Sequence, residues 1–209
     1  MAEYYMPADM ALIKRVMTAH GVVASLSWAV VMPLGAIAMR KVPSSKAWLM
    51  HAAIMTLGLL MWTSAFAMGL WDVAQWKSDV SKFMHTIIGT AVFAFAWLQP
   101  ILGVAHHYMW AKTHKRSLVS ALHVYFGRLL ISVSMVNGAI GLSMANIEGP
   151  KKWAYGVLVA LIWIAYTMVS LDWDVKRDNQ GQWALRRLQD PISSRSSKDQ
   201  VSVIKSELS

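Results

Sequence analysis

The sequence predicts an all-α membrane protein, with five transmembrane helices arranged as an up-down bundle, and three observations carry that prediction. First, 56% of the 209 residues are hydrophobic and only 15% are charged, whereas soluble domains run near about 45–50% and about 25%. Second, five stretches are long and apolar enough to cross about 30 Å of hydrocarbon, which takes about 20 residues of helix. Third, these stretches are joined by short polar connectors, and short connections make neighbouring helices antiparallel.

The first stretch is Val16–Met39, followed by a connector holding Pro43, Ser44 and Ser45. The second is Ala47–Trp71, which ends at a polar run from Asp72 to Asp79. The third is Val80–Tyr108, and the basic run Lys112 to Ser117 closes it. Val119–Ala145 is the fourth, and Lys152–Leu171, after a turn from Asn146 to Pro150, is the fifth. Trp48, Trp71, Trp76, Trp110, Trp153 and Trp173 sit near the ends of these stretches, as aromatic belts do at both membrane surfaces. No internal repeat is visible beyond a histidine pattern taken up below.

Residues 1–15 are too polar for a signal-peptide core, so the first apolar stretch is expected to serve as the insertion signal, or the chain to be a fragment of something longer. Residues 16–174 form the expected five-span domain. Residues 175–209 are polar, Ser-rich and mixed in charge, the composition of a disordered tail. Within that tail Trp183, Leu185 and Leu188 give an alternative reading as a short surface helix, with Arg186 and Arg187 near lipid phosphates.

Alternating spans assign the basic residues to two sides. The N-terminal side, side A, holds Lys14, Arg15, Lys77, Lys82, Lys151 and Lys152. Side B holds Arg40, Lys41, Lys46, Lys112, Lys115, Arg116 and the basic residues of the tail. The positive-inside rule therefore puts the C-terminus in the cytoplasm and the N-terminus on the extracytoplasmic side, in a plasma membrane or an endomembrane. The net charge of +9 lies between apolar stretches rather than in a stripe on a soluble fold, so nucleic acid is not an expected partner. Membrane lipid is.

There is no cysteine. Thiolate zinc sites, iron–sulfur clusters and covalent haem attachment through a C-x-x-C-H run are thereby excluded. Any metal or haem must be held by His, Met, carboxylate or backbone groups.

Four of the seven histidines share one placement. His20 lies five residues into the first span, His51 five into the second, His85 six into the third and His123 five into the fourth. Each is then about 6–8 Å inside its helix end. Because the spans alternate in direction, His20 and His85 lie toward side A and His51 and His123 toward side B. Ionisable residues within spans are costly and usually functional. Two His facing each other across a bundle can supply both axial ligands of a haem, and without cysteine that haem must be b-type. Bis-His ligation favours electron transfer over oxygen binding. Zinc wants four tetrahedral ligands, and each side offers two His and no well-placed carboxylate. Gly89 and Gly127, each four residues past a His, leave room on the same helix face. They read equally well as sites of close helix packing. Gly21 and Gly58 fit the same two readings near His20 and His51. These depths put two metals very roughly 15–20 Å apart across the membrane. The fifth span has no His, and is expected to cover one face of a four-helix haem-binding core.

Local motifs extend the pattern. They are His20-Gly21, Ser27-Trp28, Pro33-Leu34-Gly35-Ala36 and Arg40, then His51, then His85-x-x-Ile88-Gly89 with Gln99-Pro100, Gly103 and His106-His107. His123-x-x-x-Gly127-Arg128, Asn137-Gly138 and Gly141-Leu142 follow. Over about residues 16–174 the chain resembles the cytochrome b561 family, most closely the membrane domain of fungal members that follows a DOMON domain. The resemblance implies two b haems, one ligated by His20 and His85 and the other by His51 and His123. It also implies single-electron transfer from a reductant such as ascorbate on one side to monodehydroascorbate or a ferric chelate on the other, the work of a transmembrane oxidoreductase. The chain departs from better-known animal and plant members in having five spans rather than six, and it contains no DOMON domain.

Other polar residues have candidate roles beside this core. Arg128, about 7 Å deeper than His123, is a candidate for neutralising a haem propionate. Arg40, Lys41 and Lys46 on side B, and Lys77 and Lys82 on side A, are candidates for attracting an anionic substrate, and they equally serve topology. His106 and His107 are read as solvent-accessible groups at side B, where they are candidates for binding a substrate or iron chelate, as is His114 in the loop beyond. Expected partners are a small-molecule reductant and acceptor or a separate redox domain, and a second copy of the chain. Three rival readings remain: a quinol-linked or partner-protein relay, a haem-free transporter with His proton relays, and a scaffold for a separate redox domain.

Overall fold

The computed structural model describes residues 10–43, 46–75, 83–113, 117–147 and 149–176. Within these, every regular element is helical, as the composition and the apolar stretches predict. The first span is continuous from Met10 to Lys41 and comprises α1 (Met10–Ser25), a π-helical turn (Leu26–Val31) and α2 (Met32–Lys41). Then come α3 (Ala47–Gln75), α4 (Met84–Thr113), α5 (Leu118–Met144) and α6 (Pro150–Lys176). All five spans are long and apolar enough to cross a membrane. The chain is an integral, multi-pass helical bundle.

The first, second and fifth helices are longer than the apolar stretches alone indicate, the third is shifted toward its C-terminal end, and the fourth matches in length. The first span starts at Met10 rather than Val16, and the second runs to Gln75 rather than Trp71. The third runs from Met84 to Thr113, and the fifth from Pro150 to Lys176. Polar residues in the end turns stay helical because the helix satisfies their backbone groups whether or not lipid surrounds them. At 1.5 Å per residue the 27 to 32 residues of each span measure about 40–48 Å, well beyond the hydrocarbon. The equal depths expected for the four His therefore do not hold when measured from helix ends. His20 is ten residues past Met10, whereas His85 is the second residue of α4.

The spans pack as two antiparallel pairs. The first lies along α3, and α4 lies along α5, with the pairs meeting through α1 against α5 and α3 against α4. Between them lies a core of Trp28, Met32, Trp62, Val92, Ile131 and Met135. Trp28 and Trp62 meet edge to face at 5.8 Å, Trp62 reaches Phe66, and Phe66 stacks on Phe93 at 3.9 Å, so aromatic rings fill the middle of the bundle. Outward faces carry exposed Leu57, Leu60, Ile101, Val104, Val157 and Leu161, as lipid contact requires.

Local chemistry explains the irregular points. Pro33 has no N–H and its ring crowds the carbonyl four residues back. Just before it the ladder widens into the π turn, where the Met32 N–H bonds the Ser27 carbonyl, five residues back. Ser27 is fully buried there, and its hydroxyl donates to the Gly58 carbonyl at 2.8 Å. Ser117 caps α5 by accepting the Ser120 N–H at 3.2 Å, satisfying a backbone donor that a helix start leaves open. The turn after α5 uses positive φ at Asn146 and Gly149.

The chain divides into two compact units, Met1–Tyr166 and Thr167–Ser209. Within the first, Tyr155 donates its hydroxyl to the Met135 carbonyl at 3.1 Å and Trp163 Nε1 donates to Ser132 Oγ at 3.0 Å, tying α6 to α5. The described part of the second is the last turns of α6, where Lys176 and Asp172 form an i,i+4 ion pair at 3.0 Å. The surface helix considered around Trp183–Gln189 lies outside the described residues.

Candidate functional site

The bundle brings the four span histidines together as two pairs. The His20 and His85 rings lie with centroids 6.0 Å apart and planes at 88°. His51 and His123 lie 6.2 Å apart at 86°. In each pair one ring comes from the first two spans and the other from α4 or α5, so the rings face each other across the seam between the helix pairs.

What orients each ring is a carbonyl on its own side of that seam. His20 Nδ1 lies 2.7 Å from the Ala65 carbonyl on α3, and His51 Nδ1 lies 2.9 Å from the Gly35 carbonyl on the first span. The exchange is reciprocal. His85 Nδ1 lies 3.0 Å from the Asn137 carbonyl on α5, and His123 Nδ1 is buried against the Gln99 backbone on α4, outside ordinary hydrogen-bond geometry. A nitrogen facing a carbonyl oxygen must carry the proton, so the three hydrogen bonds fix the Nδ1–H tautomer of His20, His51 and His85 and leave their Nε2 lone pairs available. Among the described residues no Nε2 of the four rings makes a hydrogen bond. This is the arrangement by which proteins hold metal-ligating His, with the second nitrogen tied to a carbonyl. An ion about 2 Å from each Nε2 would set two facing ring centroids about 6 Å apart, the separation observed in both pairs. The donor set and spacing thus fit a six-coordinate metal with two axial His, as in a bis-His haem.

Glycines make the carbonyls reachable. The residue four places along a helix lies above a given carbonyl, and a side chain there would cover it. Four residues past Ala65, Gln99 and Asn137 stand Gly69, Gly103 and Gly141. A Cβ built on Gly69 would lie 3.1 Å from His20 Cε1, one on Gly103 3.2 Å from His123 Cε1, and one on Gly141 2.7 Å from His85 Cε1. These three glycines are seats for the rings. The sequence reading singled out Gly89 and Gly127 instead. In the structure they face the Asn137 and Gln99 side-chain amides at 3.5 and 3.4 Å, so helix packing explains them. Gly58 packs on Met32, and nothing lies within 4 Å of a Cβ on Gly21. Asn137 also returns a bond from Nδ2 to the His85 carbonyl at 3.3 Å.

A sequence signal for the seats was present and missed. His85, Gly89, Gln99 and Gly103 recur at identical spacing as His123, Gly127, Asn137 and Gly141. Since α4 and α5 are antiparallel, this is an inverted repeat. Along α3, α4 and α5 the His and the carbonyl serving the other side are 14 residues apart, so the two ring sites are separated by about 21 Å along the helices.

The remaining candidates are placed variously. Arg128 lies with its guanidinium 5.5 Å over the Tyr125 ring, and Arg40 Nη1 donates to the Ala36 carbonyl at 2.6 Å. Lys41 and Lys46 are exposed, and His107 is exposed and stacks on Trp48 at 4.3 Å. His106 departs from the expectation of a solvent-accessible interfacial group. It is half-buried, stacks beside His123 at 6.0 Å, and its Nδ1 meets the hydroxyl of buried Ser120. An α-helix start at Leu118 turns Ser120 and His123 toward α4, which draws His106 inward. Lys77, Lys82 and His114 lie outside the described residues.

Fold and site define a class: a multi-pass helical membrane protein with two pairs of facing histidines within its spans. Two proteins of Arabidopsis thaliana, each described as a cytochrome b561 and DOMON domain-containing protein, are 29% identical over 169 residues and 28% identical over 164 residues. The matches cover 78% and 75% of this chain, but 41% and 40% of those relatives; the chain spans about two fifths of their length. No family model and no solved structure matches. The similarity supports the resemblance to the cytochrome b561 family carried by the histidine motifs.

Proposed function

We propose that the chain moves electrons singly across a membrane through two b-type haems, one between His20 and His85 and the other between His51 and His123. One observation carries the reading. Two His pairs of matching geometry, 6.0 and 6.2 Å between centroids, stand at opposite ends of the bundle, with His20, His51 and His85 held by carbonyls in the tautomer a metal needs. When bound, haem supplies reversible one-electron chemistry at iron, and the protein supplies ligation, burial and spacing. His20 with His85, and His51 with His123, would hold the two haems. The carbonyls of Ala65, Gly35 and Asn137 fix the orientation of His20, His51 and His85, and Gly69, Gly103 and Gly141 give His20, His123 and His85 their seats. Held by two His each, the haems would supply electron transfer rather than oxygen binding. Trp28, Trp62, Phe66 and Phe93 exclude water from the span between the sites.

Arg128, five residues past His123, and Arg40, five residues past Gly35, are suited to the carboxylate groups of a haem. Lys41, Lys46 and His107 are exposed on side B, where they favour an anionic reductant such as ascorbate. The positive-inside rule assigns side B to the cytoplasm. An acceptor such as monodehydroascorbate or a ferric chelate would then be reduced at side A.

The deciding experiment is a dithionite-reduced minus oxidised spectrum of purified protein, with haem quantified against protein. Two b-type haems per chain are expected. Colourless protein after expression with ample haem would overturn the reading and favour a His-lined transporter. The relatives' DOMON domains favour one second reading, in which a separate redox domain or a quinol takes the place of ascorbate. Stopped-flow reduction of the loaded protein by ascorbate, a quinol and a DOMON domain separates these donors.

A further inference from the structure

The first span has one residue more than its partners between its two functional points. From His51 to Ala65, from His85 to Gln99 and from His123 to Asn137 the separation is 14 residues, but from His20 to Gly35 it is 15. In a regular α-helix one extra residue advances the chain about 1.5 Å and turns it by about 100°. Gly35 would then face away from α3. It does not, because its carbonyl meets His51 at 2.9 Å. A Cβ built on it would lie 3.4 Å from Ile54 Cβ.

The difference is absorbed between those two points. The π turn Leu26–Val31 lies wholly within the 15-residue stretch. A π turn is a one-residue insertion that leaves the helix on either side in its former register, and such turns gather at functional sites. Both flanks keep α dihedrals, at Ser25 (φ −64, ψ −45) and at Met32 (φ −63, ψ −47). The turn is pinned from inside by Ser27 on the Gly58 carbonyl.

We propose that the π turn Leu26–Val31 is a register compensator, which carries the extra residue of the first span so that the Gly35 carbonyl takes the place on His51 that Ala65, Gln99 and Asn137 take on the other three rings. Gly35 is thus a positioning residue for His51, and the four spans are variants of one unit: a His, and 14 α-helical residues later the carbonyl that orients its neighbour. That His51 is a haem ligand rests on the function proposed above, whereas the register does not.

The chain lacks cysteine, so an introduced pair reports register without background. Gly35→Cys with Ile54→Cys places the Cβ atoms 3.4 Å apart, at the short edge of the about 3.5–4.5 Å of a disulfide. The pair is placed in the full-length protein and in the same protein with Val30 deleted. A disulfide between these positions, read by peptide mass, is expected in both, while Leu34→Cys or Ala36→Cys with Ile54→Cys is expected to stay reduced. Without the cysteines, the Val30 deletion is expected to accumulate like the parent and keep its haem content and its oxidised low-spin spectrum. Deletion of Leu60, between His51 and Ala65 where no π turn exists, is expected to lose at least one haem. The proposal is overturned if the crosslink moves to position 34 or 36, if the Val30 deletion fails to accumulate, or if the Leu60 deletion is equally well tolerated. A colourless parent with the crosslink intact would sink the haem reading and leave the register standing.

Discussion

Gly141→Ala isolates the seat of one ring. The new Cβ would lie 2.7 Å from His85 Cε1, 2.9 Å from Nδ1 and 3.2 Å from Nε2. Reaching ordinary contact near 3.4 Å requires the ring to retreat by about 0.7 Å. That exceeds the about 0.5 Å within which a functional constellation must be held, and it pulls Nδ1 from the Asn137 carbonyl now at 3.0 Å. Losing the outer partner of a metal-bound His costs about 10–100-fold in affinity. Alanine meanwhile improves helix propensity over glycine by about 1 kcal/mol, so the apoprotein should lose no stability from the helix itself. The expected result is selective loss or weakened retention of the haem between His20 and His85, with the other haem and the helical circular dichroism preserved. Gly21→Ala, where nothing lies within 4 Å, is the control and should retain both. Gly141→Ala protein with two haems at parental stoichiometry and midpoint potentials would refute the seat. Equal loss of both haems would refute the assignment of Gly141 to one site.

Further outcomes follow from the same geometry. His51→Ala or His123→Ala should remove one haem signal and His20→Ala or His85→Ala the other; a variant that dims both equally breaks the pairing. With haem bound, ring planes at 88° and 86° would leave the two iron orbitals that bond to the rings nearly equal in energy, so the oxidised protein should give highly anisotropic low-spin electron paramagnetic resonance signals. A rhombic spectrum typical of parallel rings would count against the observed orientation. Trp62→Ala empties the middle of the core and should cost about 3–5 kcal/mol, read as an earlier thermal transition in detergent; an unchanged transition would mean that the core closes over the gap. Tyr155→Phe removes the hydrogen bond to Met135 and should cost about 1 kcal/mol by the same assay, with haem content unaffected.

Much of this was legible in the sequence, and for identifiable reasons. A hydrocarbon-spanning helix must be apolar over most of its length, so five spans stand out, and an ionisable ring inside each of four is conspicuous against that background. Antiparallel neighbours then sort the rings into sides. The helix ends were less legible because residues such as Asp72 and Lys112 are polar yet helical. Polarity marks the edge of the lipid, not the end of hydrogen bonding. The glycine seats were hidden because the reading looked for space on the helix that carries each His, whereas the ring rests on the neighbouring helix, 18 residues past that helix's own His. His106 was assigned to the interface from its distance along the span. Its inward turn depends on Ser120, a residue of another helix. The π turn carries no compositional signal beyond Pro33, and only the difference between 14 and 15 exposes it.

The reciprocal arrangement of the rings has a consequence for biogenesis. The first span with α3, and α4 with α5, are helical hairpins that can each enter the bilayer and close on their own carbonyl contacts before they meet. Each hairpin presents one ring toward either membrane surface, and neither contains a facing pair. Both ligand positions therefore come into existence together, only once the fourth span has left the translation machinery and the hairpins have docked. A nascent chain arrested earlier would hold no facing pair of rings on which to bind a metal.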